Sequence, residues 1–120
     1  MNIIFFGTPE FGIPSFNALL NSSHKIIAVV TQPDKVNARG NKIELSPIKK
    51  LAIQNNISVH QFVKIRRDGA ETLRQYNADI FVTCSYGQIL SQEILDIAPY
   101  GVINVHPSLL PKYRGSSPIQ

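Results

Sequence analysis

Five short apolar runs, alternating with segments whose apolar residues recur at helical spacing, constrain this chain more than any other feature. Asn2 to Phe6, Lys25 to Thr31, Ile57 to Val59, Asp79 to Cys84 and Gly101 to His106 read as strands, the third weakly. Strands buried on both faces carry continuous apolar runs, and a helix between successive strands returns the chain to run parallel. The pattern therefore predicts an α/β domain with an open parallel sheet and flanking helices. An antiparallel α+β arrangement would need tight hairpin turns, and the connections here are mostly helical.

The helical segments carry their own start signals. Ile13, Phe16, Leu19 and Leu20 make one apolar face, with Pro14 tolerable in a first turn. Ser46 followed by Pro47 is a good cap and first-turn pair, and Ile48, Leu51 and Ala52 give that helix its inward stripe. Asp68 with Glu71 three residues later resembles a capping box, predicting a helix from there through Tyr76. Ser91 is expected to cap a short helix through Ala98, closed by Pro99. Residues 32 to 45, with Pro33, Asp34, Asn37, Gly40 and Asn41, predict a long loop, and loops of that length inside a compact domain usually have a function.

Several function classes lose support from what the sequence lacks. The 120 residues suit one domain with one core, and the longest apolar runs are far too short to cross a bilayer. No export signal opens the chain. Cys84, the single cysteine, has no disulfide partner, so a reducing cytoplasmic setting is expected, with Cys84 a small buried residue near a strand end. Gly7 and Gly12 match neither the dinucleotide fingerprint nor a phosphate-binding P-loop. His24, His60 and His106 sit on different elements without metal-ligand spacing, so no metal is expected. The net charge of +4 is unevenly spread: Lys35, Arg39, Lys42, Lys49 and Lys50 form one group and Lys64, Arg66 and Arg67 another. Such groups either meet phosphates or are simply solvated surface.

The end of the fifth strand holds the chemistry. By strand alternation Val102, Asn104 and His106 share one face, while Ile103 and Val105 are expected to be buried against helices on the other. The amide and the imidazole then project together about 7 Å apart, at the carboxyl end where open parallel sheets place their ligands. An asparagine can donate to a developing oxyanion, and a histidine can donate or accept a proton. Asn-x-His is a short pattern, however, and two polar groups capping a strand would look the same. Tyr86, Gly87 and Gln88 leave the neighbouring strand in the same direction, and Gly87 would allow either close backbone approach or a tight turn.

These residues also carry a resemblance. "NVHPSLLPKYRG", residues 104–115, resembles the signature of the folate-dependent formyltransferases. "IIFFGTPEFGIPSFNALL", "TQPDK", "ARG", "SPIK", "SYGQIL" and "RGSSPIQ" are similar to the branch of that family acting on methionyl-tRNA. The Gly-x-Gly-Ser-Asn loop of the glycinamide ribonucleotide branch is absent.

The resemblance implies the Rossmann-like formyltransferase fold, here truncated. It implies 10-formyltetrahydrofolate as co-substrate, no metal, initiator methionyl-tRNA as acceptor, and neither a membrane nor an obligate protein partner. Asn104 and His106 correspond to two of three catalytic polar residues, Ser108, Leu109, Leu110 and Pro111 to part of the folate site, with Tyr86, Gly87, Gln88 and Ile89 beside it. Arg39, flanked by Lys35 and Lys42, matches a loop that approaches tRNA. That loop reads Val36, Asn37, Ala38, Arg39, Gly40, Asn41 where the family often has Pro-Ala-Gly-Arg-Gly-Lys, which makes it stiffer and less basic. The family's catalytic Asp lies several tens of residues beyond the motif. Residues 1–120 are thus expected to be the N-terminal part of a catalytic domain, with its remainder and a C-terminal tRNA-binding β-barrel domain outside them, and to be inactive alone. A small amine such as an amino-sugar nucleotide as acceptor, or a non-catalytic folate-binding domain, are the competing readings.

Overall fold

The first apolar run becomes β1 (Asn2–Gly7), the central strand of the sheet, and is buried from Ile3 onward. The computed structural model describes residues 1–36 and 43–106. A 3-10 turn at Glu10–Gly12 leads into α1 (Ile13–Leu20) and then β2 (Lys25–Val30). There follow β3 (Lys35–Val36), β4 (Ile43–Glu44), α2 (Pro47–Gln54), β5 (Ser58–His60), α3 (Ile65–Arg74), β6 (Ile80–Cys84), α4 (Gln92–Leu95) and β7 (Val102–Asn104).

Five of the strands form one parallel sheet in the order β5-β2-β1-β6-β7. The chain runs outward from β1 through β2 to β5, then crosses back to β6 on the other side of β1, which is the doubly wound order. Alternation sends Ile3 and Phe5 to one face and Ile4 and Phe6 to the other. On the first face Phe5 packs with Phe16 of α1 and with Ile48 and Ala52 of α2. On the second, Phe6 and Phe81 pack with Ile65 and Leu73 of α3 and Ile94 of α4. Both faces are therefore covered, and this is why the run in β1 is apolar without interruption. The α/β parallel sheet with flanking helices is the expected architecture.

The element ends depart from expectation where distant residues intervene. The loop over residues 32 to 45 has an antiparallel ladder at its root, with Lys35 opposite Glu44 and Val36 opposite Ile43. Lys49 Nζ ties that root down through Asp34 Oδ2 at 2.7 Å, and Gln61 Nε2 holds Asp34 Oδ1 at 2.8 Å. The Lys49 ammonium and the Gln61 amide both hold the Asp34 carboxyl below its ordinary pKa. Helix α2 starts as expected, with Ser46 Oγ accepting from the Lys49 amide at 3.2 Å.

Helix α3 starts at Ile65, earlier than a capping box at Asp68 would put it. The Ile65 amide is satisfied by Gln88 Oε1, 2.8 Å away, so the cap comes from across the fold. Asp68 pairs instead with Arg67 at 3.2 Å. The helix ends at Arg74, short of Tyr76, because Asn77 takes a left-handed conformation with φ 53°. Ser91 caps α4 by accepting from the Ile94 amide at 3.3 Å, but the helix stops at Leu95. The segment beyond it is drawn toward the sheet, where the Tyr100 amide donates to Asp79 O at 3.0 Å.

Candidate functional site

The loops that leave β6 and β7 enclose a cleft of about 420 Å³ at the carboxyl end of the sheet. Asn104 and His106 form one wall and the Ser85–Gln88 turn the other, with Leu90, Leu95 and Val102 supplying an apolar floor. Parallel pairing sets this arrangement, because β6 and β7 are adjacent and run in the same direction.

Asn104 Nδ2 and His106 Nε2 lie 3.4 Å apart. The strand ends at Asn104, two residues before the expected His106, so His106 is free of the strand spacing and its ring converges on the amide. Nitrogens this close can both donate to one oxygen at about 2.9 Å from each, which is the arrangement an oxyanion needs. Ile103 is not buried as expected but 51% exposed. β7 is the edge strand among the described residues, and no described helix covers that side. Val105 does pack on the face formed by Phe5 and Val82.

Thr83 joins this pair, and no sequence signal had marked it. It is the register partner of Asn104 across β6 and β7, and its Oγ1 donates to Asn104 Oδ1 at 3.0 Å. A threonine inside an apolar strand run reads as an ordinary β-branched strand former. Only the strand pairing shows what it faces.

The second wall is a turn in which Ser85 and Gly87 both take positive φ, 55° and 97°. A Cβ on Gly87 would lie 2.6 Å from Gln32 Nε2, the far end of a flexible side chain, so it is the positive φ of the turn that requires glycine. Gln88 is committed to the fold: its Nε2 donates to Gln32 Oε1 at 2.8 Å and to Phe62 O at 2.9 Å, while Oε1 accepts from Ile65. Its side chain borders the cleft with both ends of the amide already engaged. Tyr86 is 4% exposed, packs edge-on to Phe6 at 5.5 Å, and has a hydroxyl with no partner among the described residues. Burial pushes its phenol up to about 12, so it stays neutral over the physiological range. Ile89 does not line this cleft; it is 88% exposed on an adjoining groove with Val63, Lys64 and Arg66.

The sequence that builds this cleft matches the family model described as formyl transferase over residues 1–120. The chain belongs to the formyl transferase family. It is 52% identical over 120 residues to the methionyl-tRNA formyltransferase of Acetivibrio thermocellus, covering 99% of this chain and 39% of that protein. It is similar to the Trichormus variabilis methionyl-tRNA formyltransferase at 52% identity over 124 residues, covering 100% of this chain and 37% of the relative. The Clostridioides difficile methionyl-tRNA formyltransferase is 48% identical over 120 residues, with coverage of 99% and 39%. The chain therefore spans less than two fifths of the length of these relatives.

The remaining expected positions divide by location. Lys35 is exposed on β3 and borders a separate cleft of about 360 Å³ with Thr8, Asp34, Ser46 and Lys50. Arg39, Lys42 and the Ser108, Leu109, Leu110 and Pro111 segment lie outside the described residues. Among the described residues no carboxylate lines the 420 Å³ cleft. Cys84 is buried, and burial pushes its thiol up, away from the reactive thiolate. His60 is half-buried between Tyr76, which it hydrogen-bonds, and Phe62, on which it stacks, and burial lowers its pKa. Among the described residues no group of three or more His, Cys, Asp and Glu could hold a metal ion, and no helix is long and apolar enough to cross a membrane.

Proposed function

We propose that this formyl transferase chain belongs to a cytoplasmic enzyme that moves the formyl group of 10-formyltetrahydrofolate to the α-amine of methionyl initiator tRNA. The observation that carries the reading is the pair of nitrogens 3.4 Å apart at the carboxyl end of the sheet. The identity of about half to methionyl-tRNA formyltransferases over the full chain supports this acceptor.

The amine nitrogen attacks the formyl carbon, and the carbonyl oxygen becomes an oxyanion that accepts from Asn104 Nδ2 and from the imidazolium of His106. The bond from the formyl carbon to the folate nitrogen then breaks, and that nitrogen takes the proton which the amine gives up. An imidazolium in this role needs an anionic partner. No described residue lining the cleft is acidic, and residues 107–120 contain neither Asp nor Glu. The carboxylate is therefore proposed to come from beyond residue 120, with residues 1–120 the N-terminal part of the catalytic domain and a further domain holding tRNA.

The folate is proposed to lie against the turn at Tyr86–Ile89 and the segment Ser108–Pro111. Gly87 allows the ligand to approach the backbone there, and Gln88 holds the turn in place rather than donating to the ligand. Lys35, Arg39 and Lys42 are proposed to meet phosphates near the acceptor end of the tRNA.

The full-length protein is expected to formylate methionyl-tRNA in a folate-dependent assay, and residues 1–120 alone to show no turnover. Faster formylation of an amino-sugar nucleotide than of methionyl-tRNA would overturn the choice of acceptor. Arg39→Ala in the full-length protein is expected to raise KM for the tRNA several-fold, as loss of one phosphate contact does, with little change in kcat. Unchanged tRNA kinetics would remove Arg39 from the interface.

A further inference from the structure

Resting on the role proposed for Asn104, we infer that Thr83 is a positioning residue that decides which end of the Asn104 amide faces the reacting carbonyl. An asparagine side chain is nearly symmetric in shape but opposite in polarity at its two ends. Turned one way it offers two N–H donors, and turned the other way a carbonyl oxygen that repels an oxyanion. Asn104 is exposed and stands on the edge strand of the described sheet, so burial does not choose between the two orientations.

Thr83 supplies the choice. Its Oγ1 donates to Asn104 Oδ1 at 3.0 Å, which occupies the carbonyl end, and Nδ2 lies on the His106 side. One N–H then points to the cleft while the other lies 3.4 Å from His106 Nε2, and the orientation exists before the substrate arrives. Preorganised donors contribute most to stabilising a developing charge, because nothing must turn at the moment of reaction. Register places Thr83 directly opposite Asn104 on the neighbouring strand, and β-branching restricts its χ1, so its hydroxyl is held where the amide carbonyl can reach it.

Without that hydroxyl the amide is free to rotate, and a share of enzyme molecules would present oxygen to oxygen. One neutral hydrogen bond of ordinary strength biases such an equilibrium about fivefold to tenfold.

The test is a kinetic series in the full-length protein. Thr83→Val, which keeps shape and β-branching, is expected to lower kcat about twofold, because an unbiased amide is correctly turned in about half of the molecules, with KM for folate and tRNA unchanged. Thr83→Ala is expected to do the same, and Thr83→Ser, which keeps the hydroxyl, to restore most of the rate. In an Asn104→Ala background, Thr83→Val is expected to have no further effect, since Thr83 acts only through that amide. A wild-type kcat for Thr83→Val, or an equal loss in the Asn104→Ala background, overturns the inference while leaving the proposed function intact. If Asn104→Ala itself reacts at the wild-type rate, the role given to Asn104 fails and Thr83 has nothing to position.

Discussion

Asn104→Ala in the full-length protein is expected to lower kcat by about 10²–10³ while leaving KM for folate nearly unchanged. The size follows from removing one of two preorganised donors to an oxyanion. The KM expectation follows because the neutral formyl group accepts weakly from Asn104 before attack, so the interaction matures only in the transition state. His106→Ala is expected to cause a loss of the same order. The double variant is expected to fall well short of the product of the two losses, because the two nitrogens are 3.4 Å apart and serve the same oxygen. Asn104 and His106 are both exposed, so thermal unfolding of the variants should be close to that of the parent. Steady-state formylation of methionyl-tRNA checks the rates, and a full additive product would mean that the two groups act at separate points.

Phe6→Ala is expected to destabilise the protein by about 3–5 kcal/mol, the range for truncating a fully buried aromatic. Phe6 is 0% exposed, and its ring contacts Phe81 at 5.1 Å and Tyr86 at 5.5 Å between centroids. It lies on the central strand with paired strands on both sides, so the surrounding backbone can collapse little into the space left behind. Tyr86 loses its packing partner in the same change, and with it the turn that forms one wall of the cleft loses support. Denaturant unfolding measures the effect, with Lys25→Ala as a surface control expected within about 0.5 kcal/mol of the parent. A loss below about 1 kcal/mol would mean that the core repacks around the gap, contrary to the close packing of this sheet face.

How much of this was legible beforehand depends on whether the cause is local. The caps at Ser46 and Ser91 lie three residues from the amides they satisfy, and both were readable from sequence. The start of α3 was not, because its first amide is capped by Gln88, 23 residues away. The same side chain explains why an apparent ligand-binding glutamine is engaged within the fold. Tyr86 and Ile89, adjacent to Gly87 and Gln88 in one short segment, separate into a core residue and a solvated one because of the turn at Ser85 and Gly87.

Sequence by itself determined that this chain is an α/β protein, because alternation of apolar strand runs with capped amphipathic segments is a local pattern with local physical causes. It also determined that an asparagine and a histidine stand together at the end of the last strand run, and that they sit within a formyltransferase signature. Tertiary structure alone decided the distance between their nitrogens, the exposure of Ile103 at the sheet edge, and the pairing of Thr83 with Asn104. Each of these depends on which strand lies beside which and in what register, and residues 21 positions apart become neighbours only when β6 and β7 pair.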